Sequence, residues 1–84
     1  MPILCRFHGI VIRMYFQQAE HNPPHIHALC GDDMVAINVQ TGDVMEGHLA
    51  QKELSMVRRW IEVNKDALVR MWKTQEFEYL APLE

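Results

Sequence analysis

Eighty-four residues, 49% of them hydrophobic, are enough for one domain around one core and not for two. The formal net charge of −3 argues against a chain that tracks phosphates by bulk electrostatics, and leaves open only a local basic face. No charged-then-apolar leader opens the sequence and no apolar run reaches membrane-spanning length; Cys5 and Cys30 lie far apart in apolar runs, so the expectation is a cytoplasmic protein with reduced thiols.

In chain order, residues 2–16 read as two strands around His8-Gly9, a loop whose glycine supplies the positive φ that a two-residue hairpin needs. That loop pairs Phe7 with Ile10, Arg6 with Val11, Cys5 with Ile12 and Leu4 with Arg13. Ile3, Cys5, Phe7, Ile10, Ile12, Met14 and Phe16 then share a core face, while Leu4, Arg6, Val11, Arg13 and Tyr15 share the other. Asn22-Pro23-Pro24 holds the next segment extended and irregular. A strand over 25–30, a turn at Gly31-Asp32 and a return over 34–39 form a second hairpin. Its register sets Ile26 against Ile37 and Ala28 against Val35, with His25 opposite Asn38 and His27 opposite Ala36 on the far face. After Thr41-Gly42 the short run 44–46 closes a sheet expected to have about four strands; its alternation would put Glu46 on the apolar side unless that strand is an edge.

From about Ala50 the period changes. Ala50, Leu54, Val57, Ile61, Leu68 and Trp72 fall in one narrow stripe at helical spacing, and neither Gly nor Pro interrupts residues 50–76. One long amphipathic helix packed on the sheet is the simplest reading, with Asn64-Lys65 as a place where it could break in two. The apolar tail 77–83 is expected to dock. The fold class is therefore α+β, an antiparallel sheet followed by a helix.

The segments 7–16 and 20–27, the latter containing His21-Asn22-Pro23-Pro24-His25-Ile26-His27, resemble the small bacterial family catalogued as domain of unknown function 4160. The resemblance continues through Gly31, the turn 41–47 and the Trp60 and Trp72 helix to Pro82-Leu83, so it covers nearly the whole chain. It implies a neighbour-encoded small protein as partner, in an arrangement like a toxin–antitoxin pair, and brings no catalytic mechanism. This chain departs from the family pattern at Cys30, where an aromatic is common, at Asn38, where an Asp is common, and at His48-Leu49-Ala50, where a Leu-Pro helix start is common.

His21, His25 and His27 are the candidate catalytic residues, with Glu20 adjacent and the proline pair stiffening the backbone between them. Such a cluster suits acid–base chemistry on a phosphodiester, since imidazole titrates near neutrality. It also suits structural bonding to backbone groups, or a metal shell completed by Glu20 or water. The spacing matches no established zinc pattern and neither cysteine is placed to help, so no metal or other cofactor is assigned. Arg6, Arg13 and Tyr15 could grip a phosphate and stack a base, or form an ordinary solvated face. Asn38 faces His25. Trp60 lies off the helical stripe and either packs under the tail or anchors an interface. The functional expectation is a component of a two-protein toxin–antitoxin-like module, with RNA as the candidate substrate. A non-enzymatic binding or regulatory module with structural histidines is the alternative, and a metal-binding protein the third. An oligomer is compatible with each.

Overall fold

The structure, a computed structural model, describes residues 3–14 and 23–83. Within them the chain runs β1 (Ile3–Phe7), β2 (Ile10–Arg13), β3 (His25–Cys30), β4 (Asp33–Asn38), β5 (Val44–Gly47) and α1 (Gln51–Thr74). The strands form one antiparallel sheet in the order β1-β2-β3-β4-β5, so the α+β reading holds with five strands rather than about four. Among the described residues no helix is long and apolar enough to cross a membrane. The expectations placed on Tyr15, Phe16, Glu20 and His21 lie outside the described residues.

The first hairpin turns on His8 and Gly9, with φ of 49° and 79°, which is the double positive φ of the tight hairpin turn. Phe7, Arg6 and Cys5 pair with Ile10, Val11 and Ile12 as their spacing predicts. One step further the register slips: Arg13 pairs with Ile3, and Leu4 is the extra residue. A bulge sets two residues of one strand against one of its neighbour and reverses the alternation beyond it. Leu4 is therefore fully buried beside Cys5, and Ile3 moves to the Arg13 side, correcting the parity drawn from strict alternation.

The second hairpin keeps its expected register throughout, His25 to Asn38 and His27 to Ala36 included. Asn38 builds the following turn: its Oδ1 accepts from the Gln40 and Thr41 amides, at 2.8 and 3.1 Å, and its backbone closes onto Gly42 and Asp43. In β5, Val44 pairs with Ile37, Glu46 with Ala36 and Gly47 with Val35, leaving Met45 as a second bulge. That slip takes Glu46 off the apolar side and sets it on the histidine side. Gly47, at φ 74°, is required here because a Cβ would collide with the Met34 carbonyl oxygen.

Helix α1 is unbroken. Asn64 does not cap a second helix; its side chain donates to the Trp60 carbonyl one turn back, at 2.9 Å. The helix ends where Gln75 adopts the left-handed conformation and its N–H bonds to the Met71 carbonyl. Val57, Trp60, Ile61, Leu68, Met71 and Trp72 are buried, so the apolar stripe is wider on one side than the sequence stripe, by Trp60 and Met71. They pack with Ile10, Ile12, Ile26, Ala28, Val35 and Ile37 of the sheet in one core. The tail docks as its composition predicts: Leu80 N–H donates to the Leu4 carbonyl at 2.7 Å, and Trp60 Nε1 donates to the Ala81 carbonyl at 2.9 Å. Trp60 is 1% exposed. Of the two roles the sequence leaves open for it, packing under the tail holds and interface anchor does not: the large ring fills the space between helix, β1 and tail.

Candidate functional site

The site assembles on the central strands. Antiparallel pairing of β2 with β3 sets Arg13 directly opposite His27, β3–β4 pairing sets His27 opposite Ala36, and β4–β5 pairing sets Ala36 opposite Glu46. One row thus crosses four strands from a cation through an imidazole to a carboxylate. Directly opposed side chains in such a row start about 5 Å apart at Cβ. His25 sits two residues before His27 and so on the same face, and the two rings meet edge to face with centroids 5.3 Å apart.

Each ring is held differently. His25 Nδ1 lies 2.9 Å from the Pro23 carbonyl oxygen. A carbonyl only accepts, so Nδ1 carries the proton and, in the neutral ring, Nε2 keeps the lone pair. The proline-rich segment that stiffens the approach to β3 thereby fixes the tautomer. Trp72 flanks the same ring, with centroids 5.0 Å apart, from the last full turn of α1. His27 is half-buried with its Nδ1 out of reach of solvent. Desolvation pushes its pKa below the ordinary imidazole range, the neighbouring His25 lowers it further, and Glu46 pulls it partly back. His27 is accordingly neutral at neutral pH, a group that accepts a proton rather than one already charged.

Arg13 is half-buried, and its buried Nε has no hydrogen-bond partner among the described residues. A half-buried guanidinium at this position is a donor group of the kind that pairs with an anionic ligand. Arg6 lies diagonal to it, exposed, opposite Val11. Asn38 faces His25 in register, but its Oδ1 is committed to the turn that follows β4. An Asp there would accept the same two amides, so the turn does not depend on which of the two residues stands at 38. Trp60 takes no part. His8, in the first hairpin turn, and His48, in the link between β5 and α1, are exposed, His48 lying 3.8 Å from Asp33. Among the described residues no group of three or more His, Cys, Asp or Glu side chains is gathered to hold a metal ion.

Two members of the site escaped the sequence reading. The face of Glu46 is ambiguous in the sequence because only the bulge at Met45 decides it. Trp72 is a core residue by its place in the stripe and by its burial, and its contact with His25 follows only from where the helix ends.

A family model described as a domain of unknown function, DUF4160, matches residues 9–73, well over half of the chain, and the chain belongs to that family. Comparisons with curated proteins and with solved structures return no match.

Proposed function

We propose that this DUF4160 chain is one component of a two-protein, toxin–antitoxin-like module and acts on RNA at the face formed by Arg13, His25 and His27. The observation that carries the reading is the cross-strand juxtaposition of Arg13 with a neutral, desolvated imidazole and a second imidazole beside it. Transfer at a phosphodiester needs a base to take the 2′-hydroxyl proton, an acid to protonate the leaving oxygen, and positive charge on the phosphate. His27 is neutral and fits the base. His25 fits the acid when protonated, because its Nδ1–H stays on Pro23 and Nε2–H then points away from that anchor. Arg13 supplies the charge. With a net charge of −3 the chain would hold RNA through this face alone, and so weakly.

The test is paired. Expression of the wild-type chain alone should arrest growth, and co-expression of the neighbour-encoded protein should relieve the arrest. His25→Gln should fold with a melting temperature near wild type yet lose the arrest and any RNA cleavage by about 10²-fold or more. Loss of stability and activity in step for both His25→Gln and His27→Gln would remove the enzymatic reading. The alternative, a non-enzymatic binding module, is favoured by a specific feature: both rings have structural attachments, His25 to Pro23 and Trp72, and His27 by burial. It predicts arrest or partner binding that survives in a folded His25→Gln.

A further inference from the structure

The two edges of the sheet are finished differently. Along β1 the chain's own tail closes the edge: Leu80 N–H bonds to the Leu4 carbonyl, and the Arg6 N–H donates to the Tyr79 hydroxyl at 3.1 Å. Beyond β5 the sheet ends, among the described residues, with nothing paired to it. All four residues of β5 are exposed, Val44 at 39% and Met45 at 43%, and Met34 on the neighbouring strand is exposed at 36%. An edge strand turns a row of backbone N–H and C=O groups outward, and apolar side chains beside that row make it adhesive.

Charge decides what would adhere. Asp43 precedes β5, Glu46 lies within it, and Asp32 and Asp33 stand at its far end, where the His48 N–H bonds to the Met34 carbonyl. Arg58 near the start of the strand reaches in from the helix and donates to the Gly42 carbonyl, so it is already engaged. Two copies of this edge brought together would crowd like charges; a strand carrying Lys or Arg would be drawn to it.

We infer that β5 is the docking edge for an extended, basic segment of a partner protein, which joins the sheet as a sixth strand. Main-chain hydrogen bonds supply the affinity, Val44 and Met45 take alternate apolar side chains, and the flanking acids select cationic ones. The bulge at Met45 and the left-handed Gly47 twist the strand, which keeps the paired stretch short and fixes its register. This deepens the partner half of the functional reading and rests on it, and it meets the histidine face only at Glu46.

The probe is a short fluorescein-labelled peptide of alternating Lys and Val, with two controls: the same peptide N-methylated at alternate amides, and one of alternating Glu and Val. The expected result is saturable binding by the basic peptide, with amide shift changes confined to Met34 and residues 43–48. Affinity should fall about tenfold, ~1.4 kcal/mol, on N-methylation and again in the Asp33→Lys, Asp43→Lys double variant. If that variant does not fold, the salt dependence of wild-type binding replaces it, since exposed charge pairs weaken at high ionic strength. No saturable binding, equal binding of the methylated or acidic peptide, or shifts elsewhere would overturn the inference. So would a dimer in sedimentation that Met45→Lys dissolves, since the occupant would then be a second copy. None of these outcomes bears on growth arrest by the histidine face.

Discussion

Replacing Trp60 separates the role its burial assigns it from the role of an interface anchor. Its ring is 1% exposed, lies 6.4 Å centroid to centroid from Phe7, and holds the tail through the 2.9 Å bond from Nε1 to the Ala81 carbonyl. Trp60→Phe keeps most of the packing and removes that donor. Ala81 is exposed, so water takes over its carbonyl and no buried acceptor is stranded. The loss of the bond then costs ~1 kcal/mol. The space vacated between indole and phenyl, on the order of 30–40 Å³ at about 24 cal/mol per Å³, adds roughly another 1 kcal/mol. Trp60→Ala should cost about 3–5 kcal/mol, against a total near 4–13 kcal/mol for a domain this size. Urea titration gives the free energies, and hydrogen exchange at the Leu80 amide shows whether the tail loosens before the rest of the fold. Should Trp60→Phe unfold at the wild-type denaturant midpoint, or lose partner binding with stability intact, the packing argument fails.

Two further outcomes follow from the same geometry. Leu4→Ala should cost about 2–5 kcal/mol by thermal unfolding, as Ile12→Ala should, because the bulge puts Leu4 in the core that Ile12 already occupies; a cost below about 0.5 kcal/mol at Leu4 would return it to the open face. His27 gives a pH signature. Its pKa is depressed on folding, so the unfolded chain binds its proton first as pH falls. Stability is full above the ordinary imidazole range and declines as pH drops through that range toward the folded value. In His27→Gln the decline between about pH 7 and pH 5 should be shallower; unchanged steepness would show that His27 contributes nothing to it.

The histidine face was largely legible in the sequence. The His8-Gly9 turn fixes the first hairpin, Gly31-Asp32 fixes the second, and alternation then brings His25 and His27 to one face with Asn38 and Ala36 opposite. What could not be read was the pairing of the two hairpins with each other. No short turn joins β2 to β3, so nothing local states that Arg13 stands opposite His27, although that contact carries the functional reading. The fixed tautomer of His25 is likewise a product of geometry: Pro23 offers a carbonyl in any conformation, and only the structure places it 2.9 Å from Nδ1.

The two places where strict alternation fails, Leu4 and Met45, lie on the two outer strands, while β2, β3 and β4 pair with one another without a slip. A central strand is gripped on both sides, so an extra residue would have to break two ladders; an edge strand breaks one. Central alternation is therefore a safe guide from sequence and edge alternation is not. At β1 the slip serves the core, exchanging half-buried Ile3 for fully buried Leu4 and presenting the Leu4 carbonyl to Leu80. At β5 it serves the face, because without the extra residue Glu46 would point its carboxylate into the side occupied by Val35 and Ile37, where an unpaired charge is costly. With the slip, that carboxylate acts on His27 across the small Ala36. Gly47 completes the device, since only a residue without Cβ lets the bulged strand rejoin the Met34 carbonyl closely enough for the His48 N–H to bond to it.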